Sequence, residues 1–156
     1  MPFPLTLTPV GDRTIRAERV FAAPPAKLWQ ALTDPALVLK WQGMPSHPML
    51  EAEIDLRIGG KWRYVWGTPA GDRMVAFGSY LDLAAPNRMV HNEAFEEDWT
   101  DGPTTCTTML TPTEAGTTLV MDILYTGPKG REMAMNSGMQ DGMSTAYDQL
   151  DAMLKP

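Results

Sequence analysis

The sequence predicts an α+β fold in which a curved, seven-stranded antiparallel sheet grips one long C-terminal helix. Three observations lead there. From Pro48 to Tyr125 short apolar-polar alternations are separated by turn residues, the pattern of an antiparallel meander. After Gly127-Pro128 no proline intervenes, and Met135, Met139, Met143, Tyr147, Leu150 and Leu154 recur at helical spacing. Before the meander, two proline-led apolar stripes give two short helices. Strands and helices are thus segregated along the chain, the mark of an α+β arrangement.

The first strand is read over Arg13 to Phe21, with Ile15, Ala17, Arg19 and Phe21 on one face. Pro24-Pro25 starts a helix whose stripe is Leu28, Trp29, Ala31 and Leu32. Asp34 then serves as N-cap and Pro35 as first residue of a second helix carrying Leu37, Val38 and Trp41. Six strands follow, over Met49–Leu56, Lys61–Gly67, Met74–Ala84, Arg88–Phe95, Thr104–Thr111 and Thr117–Tyr125. Turn residues at 57–60, 68–72, 85–87 and 112–116 divide them, and Asp98 to Pro103 forms a longer loop with Trp99 at its tip. The last helix is read as continuous to about Leu154. Gly138 and Gly142 within it are expected to mark a close approach by another backbone or a ligand, since a helical glycine costs about 1 kcal/mol relative to alanine.

A chain of 156 residues, 44% of them apolar, matches a single domain over residues 1–156 with its core at about 13–154. The net charge of −6 disfavours phosphate backbones and anionic membrane surfaces, so nucleic acid and membranes are not expected partners. No apolar run reaches the roughly 18 residues of a spanning helix. The start of the chain lacks a secretory pattern and Cys106 has no partner for a disulfide, so a cytoplasmic protein is expected. The histidines are far apart, and no paired cysteines, HExxH, acidic loop or glycine-rich phosphate loop occurs. Neither metal nor cofactor is expected.

TDPALVLKWQG after the first helix, GGKWRYVW, FGSYLDLAAPNRMVH and SGMQDGMSTAYDQLDAML resemble, in order, the START-like (SRPBCC, Bet v 1-like) superfamily. Within it they are similar to the branch named after the C-terminal domain of the activator of the heat-shock protein 90 ATPase. The resemblance implies the helix-grip fold, with a cavity between the concave sheet face and the long helix. It implies also an apolar small-molecule ligand, or cyclisation or hydrolysis in that cavity. The chain departs from the branch at Trp41-Gln42-Gly43 and at Met143, where many relatives carry a tryptophan, which would reshape one end of the cavity.

The most informative stretch is Gly59-Gly60-Lys61-Trp62-Arg63-Tyr64-Val65-Trp66. Strand geometry puts Trp62, Tyr64 and Trp66 on one face and Arg63 on the other, expected to be the outer one; if the ring face is convex instead, Arg63 becomes the polar anchor of the cavity. The three rings belong either to a packed core or to a cavity wall. Methionine, 12 residues of the chain, suits a loosely selective apolar pocket, or else simply fills gaps. The candidate wall is Trp62, Tyr64, Trp66, Phe77, Met89, Met121, Met135, Met139 and Met143. Among polar groups, His91 and Glu93 share a strand face with Met89 and Phe95, which makes them the candidate catalytic pair, a base and its orienting carboxylate. His47 reads as a rim residue and Cys106 as a small buried apolar group. The acids Glu93, Glu96, Glu97, Asp98 and Asp101 around Trp99 form either a solvated loop, a gate over the cavity mouth or a protein contact.

Three functions remain open on these residues. One is binding of a hydrophobic small molecule, with Tyr64, His91 or Glu93 giving directional hydrogen bonds. The second is a cyclase or hydrolase acting through His91 and Glu93. The third is a co-chaperone-like interaction domain. Either a monomer or a homodimer fits.

Overall fold

The computed structural model describes residues 3–155. Strands β1 (Thr6–Val10) and β2 (Thr14–Phe21) precede helices α1 (Pro25–Thr33) and α2 (Pro35–Trp41). Six strands follow: β3 (Met49–Ile54), β4 (Lys61–Gly67), β5 (Arg73–Ala84), β6 (Arg88–Phe95), β7 (Thr104–Thr113) and β8 (Gly116–Leu124). Two helices, α3 (Pro128–Met135) and α4 (Met139–Leu154), close the chain. All the strands join one antiparallel sheet in the order β1-β2-β8-β7-β6-β5-β4-β3.

The sheet therefore has eight strands rather than seven. The additional strand, β1, pairs with β2 at the sheet edge, from Thr6↔Glu18 to Val10↔Thr14. It carries Pro9, which an edge tolerates because one side of the strand donates to nothing. In β2 the face of Ile15, Ala17, Arg19 and Phe21 points inward, since all four are buried. Arg19 is 2% exposed and ties β2 to α4. Its guanidinium meets Asp148 at 2.7 Å and lies 5.3 Å above the Phe21 ring.

The proline-led helices form as read. Asp34 Oδ1 accepts from Ala36 N at 2.9 Å, and Pro35 sits at the first turn of α2. Trp41 Nε1 donates to Ala31 O, and Gln149 Nε2 donates to Trp41 O, both at 2.8 Å, so α1, α2 and α4 are fastened together.

The expected single C-terminal helix is in fact two. The break falls at 136–138, where Asn136 ends α3 and Gly138 adopts a left-handed φ of 82° before α4. Gly138 is present for that backbone turn. Nothing lies within 4 Å of a Cβ built at Gly138 or Gly142, so no neighbouring backbone passes close to either.

The ladder between β5 and β6 is irregular in the middle of β5, and its register shifts between Tyr80 and Asp82. Between the pairs Phe77↔Ala94 and Tyr80↔His91 the ladder with β6 opens, and the Asn92 side chain takes over: its Oδ1 accepts from Ser79 N at 2.7 Å. A Cβ on Gly78 would fall 2.0 Å from Asn92 O, so only glycine permits this approach. Trp62, the register partner of Gly78, uses the vacant space and donates from Nε1 to Asn92 O at 3.2 Å. The inner face of β4–β8 forms a bowl beneath α4.

Candidate functional site

Between that bowl and α4 lies a cavity of about 690 Å³ that opens to solvent. Each strand delivers alternate residues to it, as the period of two requires. β4 supplies Trp62, Tyr64 and Trp66, and β5 supplies Met74 and Tyr80. β6 supplies Met89, His91, Glu93 and Phe95. From β7 and β8 come Cys106, Thr108, Leu119, Met121 and Ile123, and from α4 Met139, Gly142, Met143, Ala146 and Tyr147. The mouth is edged by Met44, Ser46 and His47 on one side, and by Trp99, Ser137 and Asp141 on the others.

The three rings of β4 face inward and contact one another. Tyr64 lies 4.9 Å from Trp62 and 6.0 Å from Trp66 between ring centroids, and Arg63 on the outer face pairs with Glu51 at 3.3 Å. Trp62 and Trp66 are buried in the main core as well, so the rings are both core and cavity wall. Phe95 and Trp99 make a second stack at 4.8 Å. The loop that carries Trp99 is pinned by Asp98, whose carboxylate accepts from Thr100 N at 3.1 Å and Gly102 N at 2.8 Å. Those backbone donors hold the Asp98 carboxyl below its ordinary range.

Two residues expected on the wall do not reach it. Phe77 points to the convex face and is 43% exposed, because it lies one position away from Gly78 on the alternating strand. Met135 is 39% exposed at the end of α3, since the break at 136–138 rotates it away from the stripe that α4 presents. Conversely, Met74, Tyr80, Tyr125 and Tyr147 line the cavity without having been singled out. Tyr80 and Tyr147 were detectable through their strand and helix periods. The inward turn of Tyr125 depends on the tertiary path after β8.

The polar groups are few and deeply placed. His91 stands edge-on to Trp62 at 5.5 Å and to Tyr80 at 6.4 Å, and its Nδ1 has no hydrogen-bond partner among the described residues. Burial lowers its pKa to about 4, so the ring is neutral at physiological pH. Burial likewise raises Glu93 from 4.5 to about 7. His91 and Glu93 both face the cavity, yet no hydrogen bond joins them among the described residues, and the expected base with an orienting carboxylate is not assembled. Burial pushes the Cys106 thiol up, far from thiolate character. It also raises Tyr80 to about 12 and the Tyr64, Tyr125 and Tyr147 phenols further, so all remain protonated. No group of three metal-ligating side chains occurs among the described residues.

A mostly apolar cavity, open to solvent and gripped by a terminal helix, is the geometry that the resemblance of the sequence motifs implied. The family model described as "Activator of Hsp90 ATPase homolog 1-like protein" matches residues 22–155. The chain belongs to this family. A protein of Rhodobacter sphaeroides, known by its crystal structure, is 36% identical over 97% of both chains, with a TM-score of 0.92. A Mycobacterium smegmatis protein is 27% identical over 97% of this chain and 98% of its own, with a TM-score of 0.87. One from Nitrosomonas europaea, at 23% identity over 94% and 96% and a TM-score of 0.82, shares the fold. No functionally curated protein matches the chain. The family and its relatives thus account for the α+β helix-grip architecture. The function has to be argued from the cavity. No helix among the described residues is long and apolar enough to cross a membrane.

Proposed function

We propose that this protein binds a small, mainly apolar molecule in the cavity between the curved sheet and α4. The observation that carries the reading is the cavity itself: about 690 Å³, open at one end and walled chiefly by aromatic and methionine side chains. That volume falls within the roughly 300–1,000 Å³ of small-molecule sites. Trp62, Tyr64 and Trp66 provide rigid ring surface, while Met89, Met121, Met139 and Met143 provide flexible, polarizable surface that adapts to the ligand. Directional contacts fall to Tyr64, His91 and Glu93. A cytoplasmic setting suits the single buried thiol of Cys106.

One observation favours a catalytic reading of the same cavity, namely that Glu93 is poised near neutrality beside unpartnered His91. Without a hydrogen bond between them and without a thiolate, binding is the better-supported role. Native mass spectrometry of freshly purified protein tests it. A bound apolar molecule, or a one-to-one adduct with an added apolar compound, is the expected result. A bare chain that takes up no apolar compound would refute it.

A further inference from the structure

The cavity carries one formal charge in its depths and nothing basic to match it. Glu93 projects from β6, and neither lysine nor arginine lines the space among the described residues. Trp62 pairs with Gly78, whose missing side chain leaves room beside the indole, and Glu93 lies on the neighbouring strand between the paired residues His91 and Ala94. Glu93 also lies close enough to the Tyr64 phenol to act on it electrostatically. Tyr64 is itself in ring contact with Trp62 and Trp66.

A carboxyl group facing several aromatic rings in a desolvated pocket is suited to an organic cation. The ring faces attract positive charge within about 6 Å, and more strongly when water is excluded. We propose, on the strength of the binding role above, that the ligand is a lipophilic monocation: a protonated amine or quaternary ammonium group on an apolar body. Its charged group sits between Glu93 and the rings of Trp62 and Tyr64. Anionic ligands are disfavoured, having no basic side chain to meet them and Glu93 to repel them.

The surroundings agree with this sign of charge. At the mouth, the N-terminal end of α4 would oppose a cation, but Asp141 stands in its first turn and offsets that partial positive charge. The loop carrying Trp99 adds Glu96, Glu97 and Asp98, giving an acidic approach that concentrates cations. The acidic run flanking the tryptophan thereby acquires a role. Arg19 lies behind Tyr147, where Asp148 and Asp151 compensate it at 2.7 and 4.0 Å. Facing Glu93 within the cavity are His91 of β6, Tyr64 of β4, Tyr80 of β5 and Cys106 of β7. Tyr125 and Tyr147 complete the set, with His47 and Asp141 at the mouth. Burial keeps the His91 imidazole, the phenols and the thiol uncharged around neutral pH, so Glu93 is the group in the depths of the cavity that titrates there.

Benzyltrimethylammonium and its neutral isostere neopentylbenzene differ by a nitrogen-for-carbon exchange, and the cation has no proton to lose. Calorimetric titration should show the cation bound at least tenfold more tightly by the native protein, with an affinity that rises between pH 6 and 8. Glu93→Gln should bring the cation-to-isostere ratio to about one and abolish the rise. Equal affinities in the native protein, or a ratio unaffected by the substitution, would overturn the proposal. The neutral fluorophore N-phenyl-1-naphthylamine separates the two levels of the argument. If it binds while the cation shows no advantage, the charge assignment alone fails; if no compound enters, the binding role fails with it.

Discussion

Glu93 illustrates what a single buried carboxyl group costs. Its pKa rises from 4.5 to about 7 because the cavity disfavours its charged form, so the folded chain holds its proton where the unfolded chain has released it. The contribution of this group is fully present below pH 4.5 and is lost as pH rises through 7. At about 1.4 kcal/mol per pH unit, the loss approaches about 3 kcal/mol above pH 7. Glu93→Gln should therefore match the native protein in stability at pH 4 and exceed it by about 3 kcal/mol at pH 8, as read by urea denaturation. A variant no more stable at pH 8 would show that Glu93 is solvated or paired. His91 has the opposite sign. Its folded pKa of about 4 lies below the ordinary 6.5, so its contribution is intact above 6.5 and lost as pH falls toward 4. Measuring the native protein alone would blur the two, which is why the single substitution is informative.

At the scale of elements, β5 decides whether there is a cavity. Its close approach to β6 needs glycine at 78, where any Cβ would meet Asn92 O at 2.0 Å, and it lets the Trp62 indole reach that same carbonyl oxygen. Gly78→Ala should cost about 3 kcal/mol, at the upper end of overpacking effects, and should weaken uptake of apolar compounds. Thermal denaturation within about 0.5 kcal/mol of the native protein would contradict this role. The strand was legible in its alternation, but the close approach was not, because it depends on Asn92, which is remote in sequence. The same distinction explains the other departures. β1 escaped notice because Pro9 lowers the strand signal and most of its residues are exposed. The break between α3 and α4 was hidden because methionines at helical spacing continue through it. Gly138, noted for its packing cost, was in fact the turn residue.

For the whole molecule, the order of elements and the residues that share a face along β2, β4 and β6 followed from periodicity, while which face turns inward is set by the packing of the helices on the sheet. The resemblance of the sequence motifs added that the bowl is hollow. What periodicity could not provide was which rings beyond β4 would close around the hollow. Phe95 and Trp99 meet across a strand and a loop, and Tyr125 and Tyr147 arrive from opposite sides. Phe77 shows the converse, an aromatic strand residue whose bulk suggested a wall but whose parity placed it outside. The site is thus less a motif than the void left when a bent sheet meets a helix, and filling that void should abolish function while sparing the fold. Thr108 is well placed for the test, being buried on β7 opposite Met89 and Met121 and lining the cavity. A phenylalanine there suits a strand and occupies the hollow.

The most direct measurement is a fluorescence titration with N-phenyl-1-naphthylamine on the native protein and on Thr108→Phe, with folding of both verified by circular dichroism. The native protein should bind one equivalent with strong enhancement, and the folded variant should lose at least tenfold in affinity. Absence of binding by the native protein, or equal binding by both, would contradict a ligand cavity beneath α4.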